Sequence, residues 1–339
     1  MVRKRKIFPL KVIVQLALIP VLIVLVAMLY MFGVHSTVSA PVEFMVVRGD
    51  SVTGVANRLM REGLIDSTEV FKAAISMNGG QVQRGLYDIP RGASTWNIAN
   101  MLATGQVATV NIVIPEGLTV KQIKNQLLGS SALTGAVECD AGNDMPVCNL
   151  RDGQLFPDTY RVAKGSSRLA LLELARKKMV AVEDSIKNSV KKLPKPLKDW
   201  GQVITLASIV QKETPVAREM PVVASVYLNR LNKGMRLQAD PTVVYVLTEG
   251  LGDMQGAPLL SGHLKIESPY NTYRNAGLPP APIANVGVAA IRAVLNPADT
   301  NYLFFVADGR GGHKFSHDYE THMKNHANWR KIKKARNKD

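Results

Sequence analysis

The stretch of this chain best suited to chemistry is Val203-Ile204-Thr205-Leu206-Ala207-Ser208-Ile209-Val210-Gln211-Lys212-Glu213-Thr214-Pro215. It reads as a helix ended by Pro215, because the residue before a proline disfavours the helical backbone region. Leu206, Ile209, Val210 and Glu213 fall at i, i+3, i+4 and i+7, so the carboxylate lies on the apolar face while Gln211 and Lys212 point elsewhere. Desolvation on such a stripe raises a carboxyl pKa above its usual value of about 4.3 and can keep the proton in place near neutrality. A general acid for a glycosidic oxygen needs that property. The competing reading is a structural glutamate paired with an arginine, here Arg218 or Arg236.

Three loop or helix-entry segments could furnish a binding groove: Leu237–Thr242, Ser268–Tyr273 and Gly277–Ile283. They supply amides, hydroxyls and aromatic rings, which suit the faces and polar edges of sugars. Gln238, Tyr270, Asn271 and Tyr273 are the candidate substrate contacts. Each segment taken singly also reads as turn chemistry, and Tyr270 with Asn271 could equally form a buried turn. His313, His317, His322 and His326, with Glu320 between them, raise a metal reading; His322 and His326 are spaced for one helical face. The run Gly309–His326 also reads as a Gly-rich turn entering a polar terminal helix, and that reading is preferred. The expectation is no metal and no cofactor.

The elements that must hold these residues follow from periodicity. A helix from Ser167 to about Val190 turns Leu169, Leu172, Ala175, Met179 and Val182 inward, and a Lys/Pro-rich connector, Lys191–Lys198, follows. A second helix, Glu219 to Lys233, buries Val223, Tyr227, Leu228 and Leu231 and stops at Gly234. Upstream, a faint repeat begins at Gly49, Gly92 and Gly117, with Ser51, Ser94 and Thr119 placed as helix N-caps. Strand-like runs, Phe44–Val47, Gly85–Ile89 and Val107–Ile114, surround these helices. The fold class expected is α+β: a small α+β region at 43–128 and a larger α+β catalytic domain at 150–329, with a basic tail at 330–339.

Composition narrows the partners. A 46% hydrophobic content excludes wholesale disorder, and the formal charge of +15 calls for an anionic partner. No C2H2, RNP or Walker A pattern favours nucleic acid. Residues 1–11 hold a basic cluster, Arg3, Lys4, Arg5, Lys6 and Lys11, and the apolar stretch 12–34 is long enough to span a bilayer. The expectation is a single-pass transmembrane helix with a cytoplasmic N-terminus and everything after His35 exported. A signal peptide cleaved near Val38-Ser39-Ala40 is the rival, though the apolar run exceeds a usual h-region. Cys139 and Cys148 are the only cysteines, and in an oxidising compartment an even count favours a disulfide.

With these residues in view, the chain resembles the endolytic murein transglycosylases (the MltG, or YceG-like, family) from the anchor to His322. The likeness rests on Leu155-Phe156-Pro157-Asp158-Thr159-Tyr160, Ala207-Ser208-Ile209-Val210 leading to Lys212-Glu213-Thr214, and Leu237-Gln238-Ala239-Asp240-Pro241-Thr242. It continues through Tyr270-Asn271-Thr272-Tyr273, the Gly277–Ile283 proline loop and Tyr302-Leu303-Phe304-Phe305-Val306. The resemblance implies that Glu213 is the catalytic residue and that 43–128 is LysM-like. It further implies a periplasmic lyase on the inner membrane that cuts nascent peptidoglycan strands to 1,6-anhydro ends, beside peptidoglycan synthases. Two positions depart from the family: Gln211 stands where relatives often carry Glu, and Asp152-Gly153 where they often show Glu-Gly. A glycan hydrolase, with Asp158, Asp240 or Glu219 as second acid, and a non-catalytic, membrane-anchored wall-binding scaffold are the alternatives.

Overall fold

The computed structural model describes residues 18–23, 26, 38–140, 142, 145–252, 254 and 257–336. The chain forms two units: the first runs to Val110 and takes in Arg161–Gly165, and the second holds Asn111–Tyr160 and everything from Ser166. Both mix helices with short strands, so the fold is α+β. Of the expected membrane helix at 12–34, only residues 18–23 and 26 are described, and the rest lies outside the described residues. Among those described, no helix is long and apolar enough to cross a membrane.

In the first unit, β1 (Val42–Val46) and β2 (Gly85–Ile89) pair antiparallel, with Phe44 opposite Tyr87. Period-two alternation buries Phe44, Val46, Tyr87 and Ile89 and leaves Glu43, Met45 and Asp88 exposed. Helices α1 (Val52–Arg61) and α2 (Thr68–Met77) lie between the strands in sequence, and α3 (Thr95–Thr104) follows. Ser51, Ser67 and Ser94 cap them, each side chain accepting a backbone N–H three residues on. Val55, Leu59, Phe71, Ile75, Ile98 and Leu102 close the core over the sheet face. Each such side chain contributes about 1.5–3 kcal/mol by leaving water. Gly85 has φ +149°, and a Cβ there would sit 2.3 Å from Val107 Cγ1, so only glycine fits this strand start.

The chain leaves the first unit through β3 (Thr109–Val113). The third copy of the repeat therefore belongs to the second unit, as α4 (Val120–Leu128), where Thr119 and Gln122 form a reciprocal capping box. Short strands β4 (Leu133–Thr134) and β6 (Ser166–Ser167) pair in parallel on either side of β5 (Thr159–Ala163) in sequence. Cys139 and Cys148 are disulfide-bonded. Helix α5 (Arg168–Lys187) turns Leu172, Ala175 and Met179 inward as expected and also buries Leu171 and Ile186, while Leu169 and Val182 are half-buried, Val182 still packing against the core.

Helix α6 (Trp200–Glu213) is the axis of the second unit. It packs against α7 (Met220–Asn232), α8 (Asp240–Leu247) and α9 (Val288–Leu295). Every residue from Val203 to Val210 is buried, so the helix is enclosed all round rather than along one stripe. Its two buried hydroxyls are satisfied locally: Thr205 donates to the Gly201 carbonyl and Ser208 to that of Thr205. Ser208 Oγ also accepts the N–H of Ile283, fastening the proline loop to the helix. An antiparallel pair, β7 (Phe304–Ala307) and β8 (His313–Ser316), leads into α10 (Tyr319–Arg336). That helix runs through residue 330 without a break, so the basic residues expected as a loose tail are, as far as Arg336, helical.

Candidate active site

Glu213 is the last residue of α6. Thr214, forced out of helical geometry by Pro215, is extended (φ −141°, ψ 131°) and fully buried. The glutamate lines a cleft of about 470 Å³ in the second unit, shared with Tyr227 and Arg230 of α7 and with Gln238, Asp240 and Tyr273. Tyr227 Oη donates to Glu213 Oε1 at 2.6 Å. Burial foremost pushes the Glu213 carboxyl up to about 7; the Tyr227 hydrogen bond and the Arg230 cation pull downward, and the Asp240 charge pushes upward. At neutral pH the group is therefore poised to give or take a proton.

Neither expected arginine, Arg218 or Arg236, lies within ion-pair distance of Glu213. The neighbouring cation is Arg230, held by donations from Nε to the Leu303 carbonyl and from one terminal nitrogen to that of Leu237, both at 2.6 Å. Its guanidinium lies 5.3 Å over the Phe304 ring. Tyr227 and Arg230 are three apart on α7 and share a face, a spacing the sequence carries, although only the tertiary fold shows that this face meets Glu213. Tyr227→Phe keeps the ring against Phe305 but removes the bond that lowers the Glu213 pKa. Any activity needing the protonated acid should then extend to higher pH, its alkaline limb moving up by roughly one unit in a pH–rate profile.

A buried hydroxyl network sets the opposite wall. Thr272 Oγ1 accepts the Ala239 N–H at 3.0 Å and lies 2.9 Å from Thr242 Oγ1, which donates to the Ala239 carbonyl. This clamp joins the Leu237–Thr242 segment to the Ser268–Tyr273 segment and fixes three cleft residues. Gln238 is exposed and holds a left-handed backbone (φ +49°), a strain found more often at functional sites than elsewhere. Tyr273 Oη donates to Asp240 Oδ1 at 2.5 Å. The other two candidate contacts lie elsewhere. Asn271 is fully buried, donating its amide to the Leu264 and Ile266 carbonyls, and Tyr270 packs 5.1 Å from Tyr245.

The remaining acids separate by their partners. Asp158 pairs with Lys178, which holds its carboxyl low. Glu219 accepts from His313, its Oε2 lying 2.8 Å from Nδ1. Asp152 accepts the Val120 N–H at 2.6 Å, at the start of α4, and the Tyr245 hydroxyl at 2.8 Å, which accounts for its half-buried place as a brace. Only Asp240 lines the cleft beside Glu213. Gln211 Oε1 accepts the Gly287 N–H at 3.2 Å, at the start of α9. The histidines disperse among rings: His317 against Tyr302, and His322 stacked on Phe304. Among the described residues no group of three or more His, Cys, Asp or Glu could hold a metal ion.

The family model described as the YceG-like family matches residues 44–328. The protein called endolytic murein transglycosylase in Bacillus subtilis (strain 168) is 29% identical over 300 residues, covering 81% of each chain. A protein of the same name from Streptococcus pneumoniae is 24% identical over 312 residues, covering 82% of this chain and 56% of that one. The crystal structure of a YceG-like protein from Listeria monocytogenes superposes with a TM-score of 0.51 at 27% identity, covering 84% of this chain and 99% of the other.

Proposed function

Because the chain belongs to the YceG-like family, we propose that it cuts peptidoglycan glycan strands internally, as an endolytic lytic transglycosylase with Glu213 as its acid and then its base. The observation that carries this reading is one carboxyl group held near neutrality, by burial, on the wall of a cleft. Tyr227 occupies Oε1, so the transferable proton belongs on Oε2. Protonated Glu213 donates to the oxygen joining C1 of N-acetylmuramic acid to N-acetylglucosamine, and the C1–O bond breaks. The carboxylate then takes the proton of the muramyl C6 hydroxyl, whose oxygen bonds to C1 and leaves a 1,6-anhydro end. No water is consumed, and Glu213 ends protonated as it began. The tethered nucleophile makes a second carboxylate unnecessary, unlike ordinary glycosidases. Gln238 and Tyr273 are the substrate contacts in this scheme, and Asp240 stabilises positive charge developing at C1.

Asp240 also supports a second reading, hydrolysis with a water held by the second acid. Mass spectrometry of the products separates the two. The new muramyl end should be lighter by one water than a reducing end; an end retaining that water would reject the transglycosylase. A chain that binds strands but never shortens them would instead be a scaffold. The order β1-α1-α2-β2 with antiparallel strands supports a LysM-like, glycan-binding first unit. The basic flank and the disulfide support an inner-membrane anchor at 12–34 with both units in the periplasm. There, strand-making synthases would be its neighbours.

A further inference from the structure

The Glu213 cleft has a neighbour. A cavity of about 510 Å³ shares two wall residues with it, Ala307 of β7 and Trp329 of α10. The wall beyond them is cationic: Arg310 in the β7–β8 turn, Lys314 on β8 and Lys331 on α10. Among the described residues, none of these three cations lies within ion-pair distance of a carboxylate. The one acid on the wall is Asp308, whose Oδ1 accepts the backbone N–H groups of Arg310 at 2.6 Å and Gly312 at 3.0 Å. Three cations against one carboxylate leave two positive charges uncompensated. Outside the lining, Lys333 Nζ lies 5.1 Å over the Trp329 ring. Clustered like charges repel one another and draw an anion to the concavity between them.

We propose that this cavity is a subsite for a carboxylate-bearing substituent of the strand whose scissile bond lies at Glu213. The inference rests on the glycan reading of the cleft. In such a strand N-acetylglucosamine is uncharged, whereas the muramyl sugar carries its carboxyl functions on the lactyl arm or on the peptide attached there. A cationic cavity that shares a wall with the cleft therefore distinguishes the two sugars by charge and sets which one lies on which side of Glu213. Trp329 is the partition between the two cavities, and α10, rather than being a solvated tail, is part of the substrate path.

The test is binding, measured with the full chain carrying Glu213→Gln so that strands are not cut. Strands with free carboxyls are compared with the same strands converted to carboxamides. Adding Arg310→Gln, Lys314→Gln and Lys331→Gln should weaken binding of the carboxylate strands by about tenfold and flatten its salt dependence. Carboxamide strands should bind unchanged. Equal loss on both strands, or no loss on either, overturns the subsite. The chain with Glu213 intact is assayed for cutting in parallel; failure there rejects the catalytic reading, while the binding comparison still decides the subsite.

Discussion

Glu213→Gln is expected to lower strand cutting by about 10²–10⁴-fold, the range a positioned general acid contributes. Glutamine keeps the length of the side chain and an oxygen to accept from Tyr227, so the cleft keeps its shape while the transferable proton disappears. Anhydro ends counted by mass spectrometry give the readout, and cutting at the unsubstituted rate would remove Glu213 from the mechanism. The same variant has a stability signature. Burial holds the folded carboxyl at about 7 against an ordinary value of about 4.5, so between those values the folded state binds more protons than the unfolded one. A raised pKa stabilises fully below the unfolded value, and that stability is lost as pH rises through the folded one. Relative to Glu213→Gln, the native chain should therefore lose on the order of 3 kcal/mol across this window. Melting temperatures of the two proteins measured in parallel would show it; curves that stay parallel would mean the carboxyl is not held neutral.

The sequence was most legible where one element carries the information. The 3.6-residue period and Pro215 place Glu213 at the inner end of a helix, and alternation with Ser caps lays out β1, α1 and α3. Legibility fails where two elements must meet. Tyr227 reads as one more apolar position on α7, and only the packing of α7 on α6 turns its hydroxyl toward the acid. Tyr270, Asn271 and Tyr273 are adjacent and chemically similar candidates, yet the turn buries the amide and sends only Tyr273 to the cleft. On α5, Leu169, Leu171 and Leu172 allow two overlapping apolar stripes that share Leu172, Ala175 and Met179, and packing buries Leu171 rather than Leu169. Helix α2, capped by Ser67, has no counterpart among the elements expected from the sequence.

Asp240→Asn is the other substitution with a large expected effect, and two consequences of the geometry can be separated in it. Asparagine preserves the side chain's shape and an acceptor for the Tyr273 hydroxyl, so the Thr242–Thr272 clamp should hold the wall in place. What is lost is a negative charge on the cleft wall shared with Glu213. If that charge stabilises developing positive character at C1, kcat/KM should fall by about 10²–10³-fold with anhydro ends still the product. The charge also raises the Glu213 pKa, so its removal lets the acid ionise earlier and moves the alkaline limb of the pH profile down. Tyr227→Phe should move the same limb up. Opposite shifts from two neighbours of one carboxyl would identify Glu213 as the titrating acid, because a general loss of structure would not send the limb in two directions. If instead both variants moved the limb the same way, another group would be setting it, and the proton ascribed to Glu213 would have to be sought elsewhere in the cleft.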